Sequence, residues 1–536
     1  MLNNQEKSTL RERLFRHIDG IAVAPVANAL HTTGITQVLL DEKKLSIANI
    51  AERFHGNEGY LNVALHVLAS QGWLDLDIEN DVPVYSINEK SKIAFDHFYL
   101  YDDIIELMQF SENYHPRKFE SEPFKELSKI FNKYKKNYDL QLSSDPFTSE
   151  IQHQILAHIE GNIVGPSVVH LGMSGMFHKY FMETRFKPEE FHKHPESFTT
   201  LLDFFTFLGW FNKKKDSYEF TDKGLFFARR ASAYGVTVSY IPTFRKMNDL
   251  LFGDPNILRI NQTEGDEIHV DRAMNVWGSG GAHSTYFKVI DDVIINIFNR
   301  DIESQPKGIL DMGCGNGALL QHLYEVIESQ TLRGKMLEEY PLFLIGADFN
   351  EAAIKVTRAN LISADIWAKV IKGDVSDPAT LAQHLLEDYG IILADLLNVR
   401  SFLDHNRIWE YAEEKHKSTN AKNTGAFASR GLRLTPSLVQ QNLTEHFEKW
   451  APHVNKFGLL VIELHTISPQ LCSQNLGKTM ATAYDATHGF TDQYIVDIES
   501  FHKAALDSGL KVDRILFRKF PDSDIATVSV NLLKGF

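Results

Sequence analysis

Cysteine is almost absent from this 536-residue chain, with Cys314 and Cys472 the only two. That excludes a disulfide framework, and neither stands in the C-x-x-C spacing of a zinc site. No run of 18 or more apolar residues occurs, which excludes a membrane-spanning helix. The start, "MLNNQEKSTLRERLF", is polar where a secretory signal needs an apolar stretch, so a soluble, cytoplasmic protein is expected. Basic runs are scarce as well. "KYKKN" near 135 and "KKK" at 213–215 are short, and the net charge of −15 repels a phosphate backbone. What the chain does have is length and 43% hydrophobic residues, more than one core usually serves.

The first half is an internal duplication. "HIDGIAVAP" from His17 returns as "HIEGNIVGP" from His158, an offset of 141 that also relates Pro25 to Pro166 and Gly34 to Gly175. Trp73 and Trp210 repeat at an offset of 137. Each copy reads as a helix, a Gly-marked turn, a second helix and a third with apolar residues at helical spacing: Leu61, Leu65, Leu68 and Phe198, Leu202, Phe205. A polar turn and a short alternating strand close each copy, a winged-helix pattern. DNA binding needs Arg or Lys on the third helix, and "EGYLNVALHVLASQ" and "ESFTTLLDFFTFLG" offer none, so packing against a partner or the second half is preferred.

From about residue 285 short apolar runs alternate with amphipathic helices, as in a parallel sheet covered on both faces. "KGILDMGCGNGALLQHL" takes a strand to Asp311, then through Gly313, Gly315 and Gly317 into a helix. Two later strands end at Asp348 and Asp374, the latter followed by Val375. Acidic residues at successive strand ends favour a sulfonium cofactor over a dinucleotide, whose pyrophosphate would sit on a GxGxxG turn.

Carried by these motifs, residues from about 275 to 536 resemble a class I S-adenosylmethionine-dependent methyltransferase. The resemblance extends to "YGIILADLLNV" as fourth strand, "FGLLVIELHTIS" as fifth, and "KVDRILFRKF" with "IATVSVNLLKG" as the closing antiparallel pair. It implies an α/β fold: a Rossmann-like, mostly parallel seven-stranded sheet preceded by two tandem winged-helix-like, mainly α modules. The domains follow as 1–140, 141–260, a connecting lid over 261–284 and a methyltransferase domain over 285–536. By the same resemblance Asp311, Gly313, Gly315, Asp348, Asp374 and Val375 hold the cofactor and Asp395 lies near its methyl group. "NVWGSGGAHSTYFKVID" has the place of the segment that closes over the methionine end, with His283 and Tyr286 as candidates. "SQTLRGKMLEEYP" reads as an exposed insertion.

Related O-methyltransferases use a histidine base after the fourth strand, and "NVRSFLDHNRIWE" supplies His405 beside Asp404. Polyketide C-methyltransferases show Asn-Val-Leu-His there, whereas this chain has Asn398, Val399, Arg400 and Ser401. A metal could replace that base. In "TAYDATHGFTDQYIV", Asp485 and His488 can share a helix face and Gln493 follows, with His465 ending the fifth strand: oxygen and imidazole donors that suit Fe(II) or Mn(II). The cluster resembles the mononuclear-iron-dependent methyltransferases of polyketide starter units, in which the metal stabilises an enolate. Helix-end hydrogen bonds and packing tyrosines are the bland alternative, and Arg430 and Arg433 could clamp a carboxylate. The expectation is C-methylation of an acyl or β-dicarbonyl substrate, free or carrier-protein-bound, by a homodimer without nucleic-acid or membrane partners. The rivals are O-methylation with His405 as base and a winged-helix DNA-binding regulator that senses the cofactor.

Overall fold

A computed structural model describes residues 2–110, 121–259, 268–410 and 423–536. The chain forms two compact units: residues 1–281 with 428–433 and 468–491, and residues 282–427 with 434–467 and 492–536.

In the first unit, α1 (Asn4–Thr32) starts on a capping box between Asn3 and Glu6. Strand β1 (Lys44–Ser46) leads into α2 (Ile47–Phe54), capped by the Ser46 hydroxyl, and α3 (Glu58–Ser70) follows. Strands β2 (Asp75–Glu79) and β3 (Val82–Ser86) complete an antiparallel sheet of order β1-β3-β2, the wing of a winged helix. The second copy opens with α4 (Pro146–Met173), whose N-cap Asp145 accepts from the Thr148 amide. It continues through α5 (Pro195–Phe207) to the hairpin of β4 (Phe211–Lys214) and β5 (Ser217–Phe220). Leu45 pairs with Tyr85 in one copy and Phe186 bridges Tyr218 in the other, so the same pairing recurs, at an offset of 141 for the first partner and 133 for the second. Residues 59–70 of α3 are all buried, which leaves that helix no face for a DNA groove.

Of the lid expected over 261–284, residues 261–267 lie outside the described residues, and from Arg272 the chain is helical (α6, Arg272–Phe287).

The second unit is built on β6 (Gly308–Met312), β7 (Phe343–Asp348), β8 (Lys369–Lys372) and β9 (Leu396–Ser401). Helices α7 (Ala318–Gln330) and α8 (Glu351–Ser363) follow the first two strands. A two-stranded ribbon of β10 (Phe427–Ser429) and β11 (Leu432–Leu434), whose residues 428–433 belong to the first unit, precedes α9 (Pro436–Val454). Then come β12 (Leu459–Leu464), the helix α10 (Ala481–Gly489) of the first unit, and β13 (Leu510–Val512), β14 (Arg518–Phe520) and β15 (Val528–Gly535). The sheet runs β13-β15-β12-β9-β6-β7-β8, with β14 also on β15. Strands β12, β9, β6, β7 and β8 are parallel, and β15 is antiparallel to β12. "KVDRILFRKF" thus forms two short strands, both against β15. One face is sealed by Val439, Leu443, Phe447 and Trp450 of α9 against Leu310, Ile345 and Val461, each worth roughly 1.5–3 kcal/mol of burial per large side chain. The insertion after α7 is pinned by the buried Arg333, which donates to Gln305 and to the Pro341 carbonyl.

The fourth strand starts later than the sequence suggested. Leu393–Asp395 is a 3₁₀ turn and Leu396 pairs with Gly308, so Asp395 sits at the amino end of the sheet. There Lys307 and Lys456 hold it at 2.7 and 2.6 Å and depress its pKa. The methyl-group role expected of Asp395 is therefore corrected: the cofactor turn lies at the opposite, carboxyl end of the strands.

Candidate active site

The carboxyl edge of the sheet begins with the turn after β6. Gly313, Gly315 and Gly317 have φ of 75°, 57° and 80°, a left-handed region where a side chain is strained. The Gly313 and Cys314 amides donate to the Ala347 carbonyl and fasten the turn to β7. A Cβ on Gly313 would lie 3.0 Å from Leu403, whereas one on Gly315 would meet nothing nearer than 4.0 Å, so the backbone at Gly315 borders open space. Cys314 is buried, its thiol pushed up to about 12, and serves as packing.

Three carboxylates stand around this turn. Asp348 accepts the Gly315 amide (3.0 Å) and the Asn350 amide (2.9 Å), which fixes its plane at the end of β7. Asp374, just beyond β8, accepts the Ser376 amide (2.8 Å). Val375 is buried, and its carbonyl takes the Trp450 indole N–H at 2.7 Å. Asp311 is 1% exposed and its Oδ2 has no hydrogen-bond partner. Burial, and then the neighbouring Asp348 carboxylate, push its pKa up to about 8. An orphan buried carboxyl at the foot of a glycine turn is the donor set that a cationic ligand would complete, so these residues fit S-adenosylmethionine with its ammonium and sulfonium charges.

Beyond β9 the chain turns sharply, with Phe402 at a φ of 54°. A bulky residue held there marks a stressed backbone of the kind found at functional sites. Tyr286 of α6 packs edge-on against Phe402 and Phe520, at 5.9 and 5.5 Å between ring centroids. The side chain of His283 lies outside the described residues. His405 follows on a 3₁₀ turn and is buried. Its Nδ1 lies 2.6 Å from Glu463 Oε1, and Glu463 also accepts the Asp404 and Leu464 amides at 2.8 and 2.7 Å. Nδ1–H donation to the carboxylate leaves the lone pair on Nε2, the tautomer a general base needs.

Asp404 is held in the same corner by a fork from Arg400 (3.1 and 2.8 Å) and by His446 Nε2 (2.8 Å). Burial works against its charge, but the Arg400 guanidinium outweighs it and Asp404 stays below its ordinary range. Burial lowers His446 to about 4. Arg400, next to the Ser401 that stands where a polyketide-type histidine was expected, is thus a buried strut. Sequence reasoning missed Glu463, although a lone acid in the apolar run "LLVIEL" signals a carboxylate with a dedicated partner.

The four metal-ligand candidates are divided between the two units: Asp485 and His488 belong to the first, His465 and Gln493 to the second. His465 is corrected as a ligand. It is wholly buried, its Nδ1 lies 3.0 Å from the Val496 carbonyl and its Nε2 2.6 Å from Ser529 Oγ, so both nitrogens are spent inside the sheet. Burial takes its pKa down to about 3. Gln493 is buried within the second unit. Asp485 faces His66 at 3.8 Å, and His488 Nδ1 donates to the Tyr484 carbonyl at 2.7 Å. The latter bond puts the imidazole lone pair on Nε2, as in ligating histidines. Arg433 pairs with Glu58 and the Asp81 carbonyl rather than standing open for a substrate carboxylate. Among the described residues, the His, Cys, Asp and Glu side chains close enough to share an ion are Asp103, Glu106 and Glu126, where Lys129 and Lys133 supply the positive charge.

This strand order, the glycine turn and the acids at the next two strand ends define a class I S-adenosylmethionine-dependent methyltransferase. Residues 267–531 match the AprA MT2-like domain, 160–254 the AprA winged helix domain and 10–76 the AprA N-terminal domain, and the chain belongs to this family of AprA-type methyltransferases. No curated protein matches it. The matches among solved structures are distant. The mitomycin 7-O-methyltransferase MmcR is 11% identical, with a TM-score of 0.42 over 72% of this chain and 98% of that one. LepI in complex with SAM is 10% identical, with a TM-score of 0.39 over 82% and 100%. An O-methyltransferase family 2 protein from Planctomyces limnophilus in complex with apigenin is 11% identical, with a TM-score of 0.40 over 100% and 98%.

Proposed function

We propose that the protein transfers a methyl group from S-adenosylmethionine to a small acyl or β-dicarbonyl substrate in natural-product biosynthesis, with His405 as the base. The observation that carries this reading is the buried His405–Glu463 pair, set beyond β9 on the edge of the sheet that also bears the glycine turn. The cofactor, when bound, supplies an electrophilic methyl group on a sulfonium. The chain's own work is then to hold donor and acceptor in line and to remove a proton from the acceptor. In this reading Asp348 and Asp374 fix ribose and adenine, and Asp311 answers the positive charge of the methionine end. His405 Nε2 takes the proton, and Glu463 steadies the imidazolium that forms. An acidic C–H between two carbonyls and a hydroxyl both yield to such a base.

Calorimetric titration with S-adenosylmethionine and its demethylated product tests the cofactor reading; absence of binding to folded protein would end it. Turnover of malonyl- and β-ketoacyl thioesters with a ¹³C-labelled methyl donor, read by NMR, separates carbon from oxygen methylation. A second reading, metal assistance by Fe(II) or Mn(II), is favoured by one observation, the Tyr484 carbonyl that orients the His488 ring through its Nδ1, as the outer partners of ligating histidines do. Stoichiometric metal in the purified protein that disappears in His488→Ala supports it, and metal-free, fully active protein rejects it.

A further inference from the structure

The two repeats of the first unit are related to each other as the halves of a two-fold dimer are. Helices α1 and α4 cross at their repeated glycines. A Cβ on Gly20 would lie 2.3 Å from the His158 Cα, and one on Gly161 would lie 2.2 Å from the His17 carbonyl oxygen. Both pairs keep the 141-residue offset: each repeat offers its glycine to the other's histidine. The histidines then exchange tyrosines. Tyr234 of the second repeat meets His17 Nδ1 at 2.8 Å, and Tyr101 of the first meets His158 Nδ1 at 2.9 Å. Reciprocal contact of residue i with j and j with i is the mark of an isologous interface, which ordinarily joins two chains. Residues 17–30 of α1 and 154–169 of α4 are buried, and the central turns of both helices have no face left for a further copy.

We infer that the N-terminal half is a dimer contained in one chain: the surface through which each repeat would pair with a second copy is filled by its own duplicate, and the protein is a monomer. Two sequences in place of one also let the two equivalent corners diverge, which a homodimer does not permit. On one side Glu160 is closed in by Arg13, His17 and Tyr134. At the related positions stand Asp19 and Gln154, and these serve another end. Asp19 accepts the Ala483 amide (3.1 Å), while Gln154 donates to Gln71 (2.8 Å), which in turn donates to Thr482 (2.9 Å). The corner freed by duplication anchors the inserted segment that carries α10.

Cross-linking tests this directly. A Cβ on Gly165 would approach the Ile21 Cδ1 to 2.7 Å, so Ile21→Cys with Gly165→Cys brings two thiols together, while the native Cys314 and Cys472 are buried. Oxidation is expected to close a bridge within each chain, at an unchanged mass of 61.1 kDa by light scattering. Covalent dimers from a mixture of the two single variants would overturn the inference, as would failure of the double variant to form any bridge. Independently, Gly161→Leu wedges α4 off α1 and is expected to convert the monomer to larger species with a lowered Tm. An unchanged mass and Tm would likewise refute the pairing.

Discussion

Two buried carboxyl groups at the same edge of the sheet differ in almost every respect. Glu463 takes an imidazole and two backbone amides, so its charge is answered from within the fold. Asp311 has an oxygen with no partner and a pKa pushed up to about 8. A saturated carboxylate is framework, whereas an orphaned one is a place kept for a cation from outside. Protein and ligand thus share the electrostatics of the site unequally, and substitutions at the two ends should fail differently.

The sharpest break is expected at the framework end. His405→Ala should lower turnover by about 10²–10⁴-fold while leaving S-adenosylmethionine affinity within about two-fold, because general-base removal touches the chemical step alone; kcat by radiolabel transfer and Kd by calorimetry measure the split. Glu463→Ala should cost roughly 3–5 kcal/mol of stability, since it strands an imidazole and two amides in the interior, a loss visible in urea unfolding. Glu463→Gln, which keeps the shape, should recover much of that stability but little of the turnover.

At the other end Asp311→Asn should weaken cofactor binding about 10–100-fold through loss of a charge-assisted contact and yet stabilise the ligand-free protein at alkaline pH. The sign follows from the raised pKa: between the unfolded value of 3.8 and about 8 the folded state holds a proton that the unfolded state has lost. Stability conferred by that proton is therefore lost as pH rises through this window. Tm measured from pH 5 to 9 should fall more steeply for the parent than for Asp311→Asn. The smallest effect belongs to Gly317→Ala, where a φ of 80° costs about 1–2 kcal/mol in Tm-derived stability without touching the acids.

The same contrast explains what could be read from the residues alone. Glycines with forced positive φ and acids at strand ends are local demands of the backbone and the ligand, so Gly313, Gly315, Asp348 and Asp374 were legible. The fourth strand misled because the apolar run at Ile391–Leu393 precedes the strand, and only Lys307 and Lys456, distant in sequence, show which end Asp395 occupies. His465 read as a candidate ligand because nothing nearby announces Ser529, which reaches it from the last strand. His405 was read from its own segment, but its partner Glu463 is 58 positions away and no pattern links them. The Glycine–His repeat was visible, whereas the exchange of tyrosines between copies needed three dimensions.

The path of the backbone between the two units has a consequence for synthesis. Residues 428–433 and 468–491 return to the first unit after the second has begun, and the last strand of the sheet ends only at Gly535. During translation the early helices must wait for Thr491 to leave the ribosome before their body is whole, with much of the later sheet already made. Neither half can be cut out as a continuous stretch, and a truncation at residue 281 would leave an open wound in a body that looks, in sequence, self-sufficient.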